Sequence, residues 1–141
     1  MMRECIDNLE SMIQLKSEIL NHRGWHEALL FACDRLVNGG QKELRVLANA
    51  TIAAFDVDPF LCADLLLRYG GSLWREVRSE LEPRLDTWYT SACSDDALGF
   101  MLHTSLPDFS NRVVEKITNA SEQDAYRVLS LTSVFLSLIH I

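Results

Sequence analysis

ELRVLANATIAAFDVDPFLCADLLLRYG, residues 43 to 70, is the stretch that decides the fold. Its first half sets Leu44, Leu47, Ala48, Thr51, Ile52 and Phe55 at helical i, i+3, i+4 spacing, which makes one apolar stripe. Val46, Ala50 and Ala53 make a second stripe on another side, and only Glu43, Arg45 and Asn49 are strongly polar. A surface helix carries one stripe; a helix apolar nearly all round is buried. Asp58 then suits an N-cap and Pro59 the first helical position, where a missing N–H costs nothing. The second helix carries Phe60, Leu61, Leu65, Leu66, Leu67 and Tyr69, with Gly70 as its stop. Asp64 and Arg68, four apart, mark its wet edge. A hairpin this apolar needs neighbours on both sides.

Outward from this centre the chain reads as helix throughout. Met2, Cys5, Ile6, Leu9, Met12, Ile13, Ile19 and Leu20 form an amphipathic stripe over residues 2–22, which Gly24 ends. Residues 25–37 make a second helix, stopped by Asn38, Gly39 and Gly40. Beyond the centre, Ser72 is placed to cap a helix bearing Leu73, Val77, Leu81, Leu85 and Trp88. Pro83 falls inside it and predicts a kink or break near Glu82. Its charged face offers the i, i+4 pairs Arg78–Glu82 and Glu80–Arg84. Ser94 opens a short helix with Leu98, Met101 and Leu102; Asp108 or Ser110 caps another with Val113, Val114 and Ile117. Ser121 to Asp124 resembles a capping box ahead of a last helix through Thr132. No segment alternates apolar and polar residues as a strand would.

The chain's 141 residues fit a single all-α domain, residues 1–136. Residues 137–141, Ser-Leu-Ile-His-Ile, resemble the translated read-through of a sequencing adapter, so the chain is expected to be a fragment with a non-native tail. Apolar residues are 48% and charged residues 23%, an ordinary globular balance rather than a disordered one. A net charge of −7 argues against a nucleic-acid partner, whose phosphates call for a basic face. No apolar run approaches the length of a membrane span and no signal-peptide core opens the chain, which points to a cytoplasmic or nuclear setting. Cys5, Cys33, Cys62 and Cys93 are far apart and read as buried free thiols.

The helices also echo one another. Glu43-Leu44-Arg45 and Glu76-Val77-Arg78 open two of them 33 residues apart, and Arg112 lies near the start of a third, 34 residues further on. At the 33-residue offset Ala48 meets Leu81, Ile52 meets Leu85 and Phe55 meets Trp88. A more apolar helix precedes each: 25–37, 58–69 and 95–104. Such alternation is what stacked helical hairpins produce, each pair burying the face its neighbour leaves open. On these residues the chain resembles a HEAT or armadillo-type repeat over residues 25–118, in two to three units. LRVLANATIAAF, residues 44–55, is the segment most similar to the second helix of a HEAT unit, and the spacing is shorter than the family's usual unit. The resemblance implies antiparallel hairpins stacked as a short α-solenoid, and a non-catalytic scaffold that binds another protein or peptide. An irregular helical bundle gives the same apolar spacing.

Tests for chemistry give little. His22 and His26 are four apart, but Gly24 interrupts the face they would share and no third metal ligand is evident. His103 stands beside Thr104 and Ser105 with no acid or base placed around it. There is no phosphate loop, dinucleotide fingerprint or zinc-protease motif, so no catalytic residue, metal or cofactor is expected. The candidates for partner binding are Arg45, Arg78 and Arg112, which a repeat would align along one ridge, and Trp25, Trp74 and Trp88. Arg suits carboxylates and Trp is enriched at binding hot spots. Local ion pairs for the arginines, and core positions for the tryptophans, are the plainer alternatives. The rival function is a helical-bundle enzyme or small-ligand regulator, which would need an enclosed pocket with convergent ionisable groups.

Overall fold

Asp58 does what its position promises. Its carboxylate accepts from the backbone N–H groups of Phe60 (3.1 Å) and Leu61 (3.4 Å), and Pro59 follows at the first helical position. The computed structural model describes residues 13–119 and Ser130. They form α1 (Leu15–Leu20, π-helical), a 3₁₀ turn (Arg23–Trp25), α2 (His26–Val37), α3 (Gln41–Val57), α4 (Pro59–Tyr89), α5 (Ser94–Thr104), a second 3₁₀ turn (Pro107–Phe109) and α6 (Ser110–Asn119). The fold is all-α, with no strand among the described residues. The expected helix through residues 121–132, the tail 137–141, Cys5 and most of the stripe from Met2 lie outside them.

α3 and the first segment of α4 make the core hairpin. Leu47, Ala54, Leu61, Leu65 and Leu66 are fully buried, and Leu73, Val77, Leu81 and Leu85 continue that face along α4. α4 packs against α3 on one side and α5 on the other, with α2 along its first segment. The Phe55 ring lies edge-on to Trp88 at 6.0 Å and to Phe100 at 5.6 Å, so α3, α4 and α5 meet in one aromatic cluster. Phe55 and Trp88, which the 33-residue offset aligns, thus touch each other.

Gly70 is an elbow that stops the first segment of α4, as its place in the sequence predicts, and a second helical segment starts directly after it. Its φ of 66° and ψ of −148° lie where only glycine is comfortable, and helical angles resume at once. Ser72, expected as a cap, is accordingly inside the helix. Pro83 does not break it: Gly70 is the single non-helical residue of α4. The carbonyl that Pro83 leaves without a donor belongs to Ser79, which is exposed, so water can serve it.

Other expectations shift for similar local reasons. The first helix ends at Leu20 and not at His22, whose extended backbone precedes the turn containing Gly24. α3 is not sheathed on all sides: Val46 is half exposed. Asp108 caps nothing and instead accepts from the Trp74 indole at 3.1 Å, while Ser110 donates to the Pro107 carbonyl. Cys33 and Cys62 are buried free thiols, but Cys93 is exposed in the bend before α5.

Candidate partner-binding surface

Three helices, α2, the first segment of α4, and α5, are tied side by side by polar contacts. Arg68 grips Asp34 with both arms of its fork, Nε at 2.9 Å and Nη2 at 2.8 Å. The Tyr69 hydroxyl lies 2.6 Å from the same carboxylate and 3.1 Å from the Leu30 carbonyl. These donors hold the Asp34 carboxyl below the usual carboxylate range, the Arg68 hydrogen bond contributing most. Burial, with the Asp34 hydrogen bond second, pushes the Tyr69 hydroxyl up. Burial also pushes the neighbouring Cys33 thiol up to about 11, with Asp34 adding to it. On the far side of α4, Asp64 meets His103 of α5, and the Phe60 ring stands edge-on to the imidazole at 6.2 Å. Asp64 and Arg68, which sequence spacing pairs with each other, thus reach in opposite directions to neighbouring helices.

Between these ties lies an open groove of about 430 Å³, lined by Leu30, Asp64, Leu67 and Arg68. Its floor is apolar and its rims are charged. Phe60, on the same face of α4, is 40% exposed, and Phe31, next to Leu30, is 65% exposed. Past the Gly70 elbow a second open cleft of about 480 Å³ is lined by Gly71, Ser72, Trp74, Arg75, Arg78 and Asp108. A smaller one, about 150 Å³, lies where Lys16 and Asp56 face each other across Asn49, Ile52 and Ala53. There Asp56 is shared by Lys16 (2.8 Å) and Arg84 (2.7 Å), so Arg84 turns away from Glu80 to a tertiary partner.

The sequence candidates scatter. Trp25 is 54% exposed at the turn before α2. Trp74 is in the core, its ring against Phe109 at 5.1 Å. Trp88 is half-buried in the aromatic cluster. Arg78 and Arg112 do converge: both approach Glu82, at 2.8 and 4.0 Å, and Arg112 also pairs with Asp86. Arg78 lies 3.8 Å from Asp108 as well. Arg45 is exposed and has no ion pair among the described residues. Two of the three arginines therefore tie elements together, and the third does not join them.

Sequence reading did not single out Asp34 or Phe31, and it placed Phe60, Arg68 and Arg75 on helix faces without proposing them for binding. One signal was available for the last. Arg75 has Gly71, Ser72, Arg78 and Ser79 as its helical neighbours three and four residues away, and none is acidic. It also passed over the Asp64–His103 pair, which joins residues 39 apart and leaves no local trace.

No protein-family model, curated protein or solved structure matches the chain. Among the described residues no helix is long and apolar enough to cross a membrane, and no three His, Cys, Asp or Glu side chains are gathered to hold a metal ion.

Proposed function

We propose that the chain is a non-catalytic scaffold of helical-repeat type, a short α-solenoid that binds another protein or peptide on its outer surface. The observation that carries this reading is a separation of 33 to 35 residues shared by four contacts between elements, although Asp64–His103 at 39 and Asp56–Arg84 at 28 depart from it. Asp34 and Arg68 are 34 residues apart, Phe55 and Trp88 are 33, Gln41 and Glu76 are 35, and Trp74 and Asp108 are 34. Each contact joins a helix or turn to its counterpart one hairpin later, as nearest-neighbour stacking requires. The three described residues with positive φ, Gly40, Gly70 and Ser105, each stand at the turn between the two helices of a hairpin. The HEAT or armadillo resemblance over residues 25–118 belongs to the same reading.

Open clefts with apolar floors suit a partner's side chains better than a small substrate. The enzyme alternative would look to Asp64 and His103. However, His103 turns Nε2 to Asp64 and keeps Nδ1 away from solvent, so neither ring nitrogen faces a cleft. Affinity capture with the full chain tests the scaffold reading. Wild type is expected to retain a protein that Leu67→Glu, which places a charge in the groove floor, retains at least tenfold less. Identical capture by both, with both folded by circular dichroism, removes the groove from the function.

A further inference from the structure

α1 is lightly attached to the rest of the molecule. Its six residues, Leu15–Leu20, are π-helical, a geometry that is rare and often found at functional sites. No side chain caps its start. It gives the core one enclosed side chain, Leu20, with Leu15 packed beside it. α4 encloses ten residues and α3 five. The seam between α1 and α3 is not closed either. The cleft of about 150 Å³ lined by Lys16, Asn49, Ile52, Ala53 and Asp56 lies in it.

The polar tie across that seam is one that can be broken at small cost. Lys16 and Asp56 pair at 2.8 Å with side chains 36% and 38% exposed. An ion pair this open to water contributes little and is screened by salt. When Lys16 leaves, Asp56 keeps Arg84 at 2.7 Å, so no carboxylate is stranded. The His26 nitrogen Nε2 stands 3.4 Å from the Leu20 carbonyl, beyond the usual range of a hydrogen bond. The bonds from Gln14 to Glu18 and from Ser17 to the Ile13 carbonyl lie within the segment and move with it.

We propose that α1 is a releasable strap, which lifts from α3 as a unit while the α3–α4–α5 centre stays folded. Its release bares the seat of Leu20 and the Ile52 and Ala53 side of α3, so the strap regulates how much apolar surface α3 offers. This device goes beyond the scaffold reading and does not depend on it. Lifting gives up one enclosed leucine, whereas global unfolding gives up the enclosed residues of α3 and α4 as well. The two openings therefore differ widely in free energy, and hydrogen exchange resolves them.

The test is native-state hydrogen exchange of the full chain, read amide by amide in ¹H–¹⁵N spectra. Leu98→Ala empties an enclosed position on α5, away from the strap, and should speed exchange in α3 and α4 by roughly thirtyfold or more. The α1 amides should keep their wild-type rates, because the lifted and closed forms lose that contact equally. Lys16→Glu sets two carboxylates against each other across the seam. It should speed all α1 amides by one common factor, on the order of threefold. Urea below the unfolding transition should speed them along one shared slope, smaller than that of α4, because lifting exposes less surface. Equal acceleration of α1 and α4 by Leu98→Ala would mean that α1 opens only with the whole fold, and overturns the strap. Graded α1 rates with no dependence on urea would mean separate fraying residues, and overturn it as a unit. Both readouts are made without a partner, so their failure leaves the groove and its capture test untouched.

Discussion

In α4, Leu61, Leu65, Leu66, Leu73, Val77, Leu81 and Leu85 are all fully buried. In α6, Val113, Val114 and Ile117 also recur at helical spacing, yet none is fully buried and Val114 is 60% exposed. Periodicity chooses the face a helix turns inward; burial depends on what lies against that face. α4 has α2, α3 and α5 around it, whereas α6 packs on the Pro107–Phe109 turn and is otherwise held by polar contacts: Tyr89 to the Arg112 carbonyl at 3.2 Å, Arg112 to Glu82 and Asp86, and Lys116 to Ser94 of α5 at 3.0 Å. The α3–α4–α5 centre of the fold should hold the stability, and of these two regions the last described helix should be the more easily disturbed.

The largest effect expected is a test of that contrast. Leu66→Ala or Leu47→Ala removes a wholly enclosed side chain and should cost about 2–5 kcal/mol in a urea melt. Ile117→Ala, at a half-buried site, should cost about 1 kcal/mol. Equal losses at the two places would mean that α6 is as well packed as α4.

The elbow offers a finer comparison between neighbouring glycines. A Cβ at Gly70 or at Gly71 would meet nothing within 4 Å, so neither substitution is limited by space. Gly70→Ala must hold a left-handed backbone and should cost roughly 1–3 kcal/mol. Gly71→Ala sits in helical backbone and should stabilise by about 0.5–1 kcal/mol. Opposite signs in thermal melts would place the strain in the backbone of one residue; equal signs would refute that. Loss of the cap is comparable in size: Asp58→Ala should cost about 1 kcal/mol, as the Phe60 and Leu61 N–H groups lose their acceptor.

Much of this architecture was legible because it rests on local rules. Asp58 and Pro59 announce a helix start, Gly70 announces a place where the chain must turn, and the spacing of Leu47, Phe55 and Trp88 gives both the core face and a lateral contact. Arg78–Glu82 forms as its spacing predicts, but the other two i, i+4 pairs were misread for one physical reason. An i, i+4 pair on a helix contributes only about 0.2–0.5 kcal/mol, so a well-placed partner on another helix outcompetes it. Arg68 therefore leaves Asp64 for Asp34, and Arg84 leaves Glu80 for Asp56. Pro83 was misjudged because its cost depends on whether the orphaned carbonyl is wet, a fact of packing. The clefts around the elbow were invisible for the same reason, although the lack of any acid three or four residues from Arg75 was on the page.

The smallest effect concerns the Asp34–Arg68–Tyr69 tie. Holding the Asp34 carboxyl below its ordinary value couples folding to its ionised form. That contribution is complete above the usual aspartate pKa of about 3.9. It is lost as pH falls through the lower folded value. Asp34→Asn removes the coupling, so the variant should melt slightly below wild type at pH 7, and the two curves should draw together as the pH falls below about 4. Thermal melts from pH 7 down to 2.5 measure the difference directly, since every other carboxylate is common to both chains. The pair is solvent-exposed, which keeps the effect modest and makes it shrink in 1 M salt. A gap between the two chains that stays constant through acid would mean that Arg68 and Tyr69 hold Asp34 by shape and hydrogen bonding alone, with no preference for its charged form.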